Sequence, residues 1–155
     1  MDYRLYRPED FAALYAIELV CFQPPHRFSR AYMRRLVGQQ NAAAWIAEEG
    51  GRMCGFGIVE WGEESAGPTA YVQTLEVLPE RRGLSVGGEL LRRMESSARS
   101  AGAVAIRLHV DAENAGAIRV YERGGYRVLG MEEDYYGRGR SGLVFEKRIG
   151  MDEAN

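Results

Sequence analysis

An apolar stretch that runs into a glycine-bearing turn and then a helical pattern constrains the fold of this chain more than any other feature. Residues 71–88 read YVQTLEVLPERRGLSVGG, a strand-like run followed by Pro79, two arginines and a turn. Glycines let backbone N–H groups converge on one point, and the N-terminus of the following helix adds the positive end of its dipole. This combination predicts a phosphate-binding loop, although an ordinary tight strand-to-helix junction has a similar composition.

Composition and charge narrow the class of protein. At 155 residues with 46% hydrophobic composition, the chain predicts one domain over residues 1–150, followed by a frayed tail at 151–155. The formal charge of -2, from 22 acidic and 20 basic residues, predicts no general attraction to nucleic acid or anionic membranes. No stretch approaches the ~20 apolar residues that span a bilayer, and the first residues show no leader pattern, so we expect a soluble, cytoplasmic protein. Cys21 and Cys54 have no metal-ligand spacing and are predicted to be buried thiols, with no metal site.

Hydrophobic periodicity divides the chain into strands and helices. Period-two alternation marks strands, and spacings of three and four residues mark helices. The first half is predicted to contain a strand at Tyr3–Leu5, a helix from Pro8 that ends before Pro24, a helix capped by Ser29, and strands Ala42–Glu49 and Arg52–Trp61 joined by Gly50-Gly51. After the polar segment Glu63–Pro68, the second half is predicted to contain a strand at Tyr71–Val77, a helix from Val86 that Gly102 stops, a strand at Val104–Val110, a helix capped by Asn114, and a hairpin of Tyr126–Met131 with Leu143–Ile149.

The succession of strand, helix and strand over residues 71–110 determines the predicted class of fold. Tight junctions between these elements predict a right-handed crossover, and therefore a parallel strand pair within an otherwise antiparallel sheet. Two parallel strands that diverge beyond their last shared hydrogen bond leave a cleft between them. We expect the functional residues to lie in that cleft.

Two separated blocks resemble the signatures of the GNAT acetyltransferase superfamily. The first, Arg82 to Gly87, resembles the Q/R-x-x-G-x-G/A pyrophosphate loop with its V-x-P-x-x-R lead-in, and Ser85 stands where the family usually has its middle glycine. The second, LHVDAENAGAIRVYERGGYRVLG, resembles a strand followed by Asn, a short helix, Tyr and Gly-Tyr. The resemblance covers essentially the whole chain. It implies the GNAT fold, an α/β (α+β) domain whose mostly antiparallel sheet has one splayed parallel pair for acetyl-CoA and helices on both faces.

The resemblance also implies where acetyl-CoA, the expected co-substrate, binds. The backbone around Leu75 and Val77 is expected to run beside the pantetheine arm, which Asn114 is expected to reach. The N–H groups expected to hold the pyrophosphate belong to Arg82, Gly83, Leu84, Ser85, Val86, Gly87 and Gly88.

Within the superfamily, the chain looks most like the N-terminal protein acetyltransferases, both the ribosomal-protein alanine type and the eukaryotic and archaeal enzymes. The resemblance lies in the loop from Phe22 to Ser29, in the strand YVQTLEV and in the pair Tyr135-Tyr136. In such enzymes the early helix loop and the late tyrosines enclose the first residues of a protein N-terminus. By this resemblance Phe22, Tyr135 and Tyr136 are substrate-binding candidates.

Transfer of an acetyl group to an amine requires a base for the amine and an acid for the leaving thiolate. His109 is the first base candidate, because it lies on the face opposite the apolar row of its strand and imidazole has a reference pKa of ~6.5. By resemblance, Tyr71 occupies the corresponding place on the neighbouring strand, where the two side chains could order a water. Tyr121 matches the family tyrosine that hydrogen-bonds the CoA sulfur as general acid.

Glu76 is a rival base, because desolvation beside an apolar strand raises the pKa of a carboxyl group towards neutrality. Strand alternation predicts that its side chain faces away from Tyr71, Gln73, Leu75 and Val77. This orientation favours a structural or peripheral charge.

The sequence therefore predicts an acetyl-CoA-dependent N-acetyltransferase that acts on a protein or peptide N-terminus by direct transfer in a ternary complex. One alternative is an acetyltransferase for a small amine such as a polyamine, amino acid or antibiotic. The other is a regulatory module that binds acyl-CoA without turnover. We expect a monomer or homodimer with no nucleic-acid or membrane partner.

Overall fold

The strands and helices lie close to their predicted positions. The computed structural model describes residues 1–64, 67–83 and 85–150, so Leu84 and the predicted tail at 151–155 lie outside the described residues. The strands are β1 (Asp2–Leu5), β2 (Ala42–Glu49), β3 (Arg52–Glu64), β4 (Gly67–Val77), β5 (Ala105–Asp111), β6 (Arg127–Glu132) and β7 (Gly142–Arg148). The helices are α1 (Phe11–Cys21), α2 (Arg30–Val37), α3 (Val86–Ser100) and α4 (Ala115–Arg123), with 3-10 turns at Pro8–Asp10 before α1 and Pro79–Arg81 before α3.

The strands form one sheet in the order β1-β2-β3-β4-β5-β7-β6. Within the described residues, neighbouring strands are antiparallel except β4 and β5, which pair in parallel as predicted. The parallel register runs from Thr69↔Ala105 to Tyr71↔Arg107, and the two strands diverge beyond it. The predicted fold class, a mostly antiparallel sheet with one splayed parallel pair, is confirmed.

Helices cover both faces of this sheet, as predicted. The α1 and α2 helices pack on β2 and β3, and the fully buried side chains on this face include Leu14, Met33, Leu36, Ile46 and Phe56. The α3 and α4 helices pack on the other face, where the fully buried side chains include Leu91, Met94, Ile106, Leu108 and Phe145. Each helix pair therefore has its own core, and the sheet separates the two cores.

Local signals in the sequence correctly mark several helix ends. The Ser29 hydroxyl accepts a hydrogen bond from the Tyr32 N–H at 3.1 Å, and Oδ1 of Asn114 accepts one from the Ala117 N–H at 3.1 Å. Gly102, with a φ of 98°, follows α3 as predicted. Among the described residues, no helix is both long enough and apolar enough to cross a membrane.

The β3 and β4 strands are longer than predicted. The segment Glu63–Pro68 was predicted as a connection, but β3 continues through Glu64 and β4 begins at Gly67, so its described residues belong to strands. The pairs Glu63↔Pro68 and Glu64↔Gly67 extend the antiparallel register. The prediction fails here because a ladder of backbone hydrogen bonds needs no apolar side chains.

A β-bulge in β4 reverses the side-chain alternation of this strand. Ile58 pairs with Thr74 but the next residue, Val59, pairs with Val72, so Gln73 is an extra residue in β4. Val72 packs in the core beneath α3, whereas Thr74 lines the space on the α1 side. The residues that follow the bulge therefore face opposite to what regular alternation predicts.

For this reason the predicted orientation of Glu76 is wrong with respect to Tyr71, which lies on the same face, whereas Glu76 does face away from Leu75 and Val77. Its Oε2 accepts a hydrogen bond from the Thr74 hydroxyl at 2.7 Å, and its neighbour is the Glu18 carboxyl of α1. Tyr71 also lies on the α1 side, where it and Glu18 line the same cleft. The expected peripheral position is wrong as well, because Glu76 is 2% exposed.

Candidate active site

The divergence of β4 and β5 opens a cleft of about 1210 Å³. Its walls come from the α1–α2 loop (residues 22–29), the second half of β4, the end of β5, the start of α4 and the β6–β7 loop (residues 133–141). The sequence-predicted residues that line it are Phe22, Tyr71, Leu75, His109, Asn114, Tyr121, Tyr135 and Tyr136. The structure therefore brings the predicted catalytic and substrate-binding residues together from distant parts of the chain.

Tyr71 and His109 are directly hydrogen-bonded in this cleft. The Tyr71 hydroxyl lies 2.6 Å from Nδ1 of His109. Tyr71 pairs with Arg107 at the end of the parallel register, so the hydrogen bond forms where the two strands begin to separate. On the other side of the imidazole, Nε2 lies 3.0 Å from Oε1 of Glu132 on β6. Both ring nitrogens of His109 therefore have a polar partner.

Stacked aromatic rings hold the imidazole of His109 in place. The Tyr135 ring lies over it, with 4.1 Å between centroids and an angle of 4° between planes. Tyr136 lies edge-on to Tyr135 at 4.8 Å and stacks on His26 of the α1–α2 loop at 5.2 Å. Gly142 allows this arrangement, because a Cβ there would lie 3.0 Å from the Cβ of Tyr135. The tyrosine pair thus links the β5 histidine to the α1–α2 loop.

Burial keeps the phenols of the cleft protonated. The pKa of Tyr71 is raised well above its usual value, first by burial and then by the adjacent Tyr135 hydroxyl. Burial also raises the pKa of Tyr121 and of Tyr136, and the Tyr135 hydroxyl adds to the effect at Tyr136. These hydroxyls therefore remain neutral hydrogen-bond donors around pH 7.

Two residues of the second signature line the cleft from α4. The Tyr121 side chain belongs to the core, where it packs edge-on against Tyr126 at 5.9 Å and against Phe145 at 6.1 Å, and it also reaches the cleft. Asn114 uses its Oδ1 atom to cap α4, so its amide nitrogen is not needed for the cap. Both residues thus combine a structural role with access to the cleft.

The glycine-bearing turn has the geometry of an anion-binding helix start. Gly83 has a φ of 80° and Ser85 a φ of 65°, both in the left-handed region. The α3 helix begins at Val86, and the N–H groups of its first turn have no acceptor within the helix. This arrangement fits the pyrophosphate of acetyl-CoA. Arg82 differs from the prediction, since its N–H donates to the Pro79 carbonyl at 3.3 Å and closes the preceding 3-10 turn.

The described residues of the loop adjoin the cleft without lining it. The Arg82 guanidinium donates through Nε to the Val77 carbonyl at 2.9 Å, and its Nη2 lies 3.6 Å from Sγ of Cys21, which does line the cleft. A Cβ on Gly87 would lie 3.7 Å from Val120 and 3.9 Å from Val77. The loop is therefore packed at the end of β4 that leads out of the cleft, and its contacts with pyrophosphate stay a prediction.

Sequence reasoning missed a buried pair of carboxyl groups beside the cleft. Glu18 is 0% exposed and Glu76 is 2% exposed. The Phe28 N–H donates to Oε2 of Glu18 at 2.8 Å, while the Oε1 atoms of both glutamates have no hydrogen-bond partner among the described residues. Burial first, and then the Glu18 carboxyl, raise the pKa of Glu76 well above its usual value. The pair therefore retains a proton at neutral pH. The raised pKa of Glu76 agrees with the effect of desolvation expected from the sequence, whereas the pairing with Glu18 was not predicted.

Charged residues at the rim of the cleft were also missed. Oδ2 of Asp111 lies 2.6 Å from Nη2 of Arg140 and 3.6 Å from Nε2 of His26. This group joins the end of β5 to the α1–α2 and β6–β7 loops. Glu132, the other missed residue, has no local signal because its contact with His109 depends on the order of the strands.

The sequence profile of the Acetyltransferase (GNAT) family matches residues 11–126. The chain therefore belongs to the GNAT acetyltransferase family, and it is an acetyl-CoA-dependent N-acetyltransferase. The Tyr121 and glycine-turn motifs that predicted this family lie at the expected places in the fold.

Individual relatives include enzymes with different acceptors in their names. The chain is 25% identical over 144 residues to the N-terminal acetyltransferase A complex catalytic subunit NAA10 of Arabidopsis thaliana, covering 91% of this chain and 74% of that protein. The ribosomal-protein-S18-alanine N-acetyltransferase of Escherichia coli superimposes with a TM-score of 0.82 at 21% identity, over 97% of this chain and 94% of the other. An aminoglycoside 6'-N-acetyltransferase complexed with coenzyme A superimposes with a TM-score of 0.81 at 16% identity, over 96% of this chain and 97% of the other. These superpositions show a common fold, which by itself leaves the acceptor open.

Proposed function

We propose that this enzyme acetylates the N-terminal α-amino group of a protein or peptide by direct transfer within a ternary complex. The observation that carries the proposal is the hydrogen bond between Tyr71 and His109, with Tyr135 stacked on the imidazole. The likeness to NAA10, whose name gives protein N-termini as its acceptor, adds support. Phe22, Tyr135 and Tyr136 are the proposed contacts of the acceptor.

The proposed chemistry begins with the acceptor amine, which must be neutral to react. An α-amino group has a reference pKa of ~8 against ~10.4 for a lysine side chain, so a chain terminus loses its proton more easily. Tyr71 and His109 together accept that proton as the general base. When bound, acetyl-CoA supplies the acetyl group, whose C–S bond breaks as the C–N bond forms. Tyr121, which keeps its proton because it is buried, is the proposed acid for the leaving sulfur.

The proposed acetyl-CoA contacts follow the unpaired side of β4. Beyond Tyr71 the β4 backbone has no β5 partner in the parallel register, which leaves the segment around Leu75 and Val77 for the pantetheine arm. Asn114 is proposed to donate to the same arm. The N–H groups from Gly83 to Gly88 are proposed to hold the pyrophosphate, with Arg82 as a structural support behind them.

A competition between acceptor classes tests the proposal. The purified enzyme with acetyl-CoA is offered an N-terminal peptide library, polyamines and aminoglycosides, and CoA release is measured for each. We expect release with a subset of the peptides. Acetylation of the polyamines or aminoglycosides with no peptide acetylated would reject the proposed acceptor. Tight acetyl-CoA binding without acceptor-dependent release would instead indicate a regulatory module.

Variants of the two histidines test the proposed base. His109→Ala is expected to lower kcat/KM by roughly 10²-fold or more, the usual contribution of a positioned base, and to remove the acid limb of the pH profile. His26→Ala is the matched control. It removes the other histidine of the sequence, which lines the same cleft, and leaves the hydrogen bond between Tyr71 and His109 in place. An unchanged pH profile in His109→Ala would rule out its role as base.

A further inference from the structure

We propose that Glu132 is a positioning residue for His109, fixing the imidazole tautomer and conducting the proton of the acceptor amine from the cleft to solvent. The inference rests on the proposed function, in which Tyr71 and His109 act as the base. It concerns an exposed residue of the edge strand β6 that the two family signatures do not include.

The hydrogen bonds around the imidazole define a single tautomer. A carboxylate can only accept hydrogen bonds, so the contact of 3.0 Å between Nε2 and Oε1 of Glu132 puts the ring proton on Nε2. Nδ1 then carries the lone pair and accepts from the Tyr71 hydroxyl at 2.6 Å. In the opposite tautomer, Nε2 and the carboxylate would both be acceptors. Glu132 therefore sets the direction in which the Tyr71 hydroxyl donates.

The order of the strands makes this contact possible. His109 pairs with Val144 of β7, and Glu132 pairs with Gly142 of the same strand, so the carboxylate reaches the imidazole across β7. Gly142 has no side chain, and a Cβ at this position would crowd Tyr135. The glycine thus opens the surface of β7 on which Tyr135 and Glu132 approach His109.

The three residues form a continuous path for one proton. As the amine reacts, its proton passes to the Tyr71 oxygen, the Tyr71 hydroxyl proton passes to Nδ1 of His109, and the Nε2 proton passes to Glu132. The Glu132 side chain is 54% exposed, so it can release that proton to water. One proton enters the path at the amine and one leaves it at the carboxylate, which leaves the ring proton of His109 on Nδ1. Before the next turnover the imidazole takes up a proton from water on Nε2 and loses the Nδ1 proton to water, and this exchange restores the starting tautomer.

The other groups that face the imidazole carry no competing charge. From β4 it meets the Tyr71 hydroxyl, from the β6–β7 loop the Tyr135 ring, and from β7 the apolar Val144. Asp111, two positions along β5, is bound to the Arg140 guanidinium at 2.6 Å. Within the described residues, Glu132 is the carboxylate in contact with His109, and it stabilises the imidazolium that forms during transfer.

Replacing the Glu132 carboxylate by an uncharged amide of the same shape distinguishes this role from an ordinary ion pair at the sheet edge. Glu132→Gln is compared with Glu133→Gln, which removes the adjacent exposed carboxylate, and with Glu132→Asp. We expect Glu132→Gln to lower kcat by roughly three- to tenfold with little change in KM, because a half-exposed charge is partly screened by water. The acid limb of kcat/KM is expected to change in Glu132→Gln but not in Glu133→Gln, since only the first substitution removes the charge beside the imidazole. Glu132→Asp should recover part of both effects.

A nitrogen-15 NMR measurement of the histidine ring provides a readout that needs no acceptor. In the wild type and in Glu133→Gln, His109 is expected to carry its proton on Nε2, whereas Glu132→Gln should show a mixture of tautomers. Wild-type tautomer and pH profile in a folded Glu132→Gln variant would overturn the proposal. The NMR result holds whether or not peptides are the acceptor, so a failure of the proposed function and a failure of this inference are distinguishable.

Discussion

Glu95 and Glu76 are both buried carboxyl groups, but they lie on opposite faces of the sheet and are paired very differently. On the α3 face, Glu95 accepts from the Tyr126 hydroxyl at 2.8 Å and from the Lys147 ammonium at 3.1 Å. On the α1 face, the neighbour of Glu76 is a second acid, Glu18, and an oxygen of each lacks a hydrogen-bond partner among the described residues. The buried charge on the α3 face is therefore satisfied, whereas the two carboxyl groups beside the cleft form an unfavourable pair.

Removal of the satisfied carboxylate tests the first half of this comparison. Glu95→Ala leaves the Tyr126 hydroxyl and the Lys147 ammonium without their buried acceptor, so we expect the free energy of unfolding to fall by about 2 to 3 kcal/mol. Urea unfolding measures the change. Glu89→Ala, on the same helix but in exposed pairs with Arg92 and Arg93, is the control and should cost no more than about 0.5 kcal/mol. Equal losses in the two variants would contradict the comparison.

Neutralisation of the unsatisfied Glu76 carboxyl should raise the free energy of unfolding. Because the pKa of Glu76 is raised in the folded state, the folded chain keeps a proton that the unfolded chain loses above about pH 4.3, the reference pKa of a glutamate side chain. The stability of the wild type therefore falls as pH rises from that value towards the raised pKa. Glu76→Gln holds no such proton, and its amide can donate to Glu18, so we expect a gain of about 1 to 2 kcal/mol at pH 8 and little at pH 5. Urea unfolding at both pH values measures it, and parallel pH dependence in the two proteins would refute the buried acid pair.

The smallest expected effect concerns backbone strain at the cofactor end of the cleft. Ser85 has a φ of 65°, which costs a non-glycine residue about 1 kcal/mol, but glycine gains entropy in the unfolded chain. Ser85→Gly is therefore expected to stabilise the fold by no more than about 0.5 kcal/mol. The reverse change, Gly83→Ser, affects a residue with a φ of 80° and should lower the free energy of unfolding by about 1 kcal/mol. Thermal unfolding compares the two, and a clear loss of stability in Ser85→Gly would show that the serine hydroxyl stabilises the turn.

The elements that the sequence predicted well are those with local signals. The Ser29 and Asn114 caps, the Gly50-Gly51 hairpin and the parallel crossover after Val77 depend on residues within one or two turns of chain. The candidate residues of the second family signature, Asn114 and Tyr121, also line the cleft, and the loop of the first signature adjoins it. Local chemistry and family motifs were sufficient for these features.

The features that escaped prediction depend on contacts between distant residues. The insertion of β7 between β5 and β6 has no local signature, so the approach of Glu132 to His109 was not predictable. The bulge at Gln73 lies inside β4, and its position is set by pairing with β3. The acid pair of Glu18 and Glu76 follows from that bulge, because regular alternation would have put the two carboxyl groups on opposite faces.

The insertion of β7 also determines when the sheet around His109 can be completed during synthesis of the chain. The β5 strand carries His109, but its long antiparallel partner, from Gly142 to Arg148, leaves the ribosome after the other six strands of the described sheet. A nascent chain that has reached α4 can therefore pair β1 to β4 while one edge of β5 remains open. Such an edge is a site for incorrect pairing, and strand addition by β7 is the step that closes it. Protection from misassembly and completion of the cleft around His109 thus depend on the same late event.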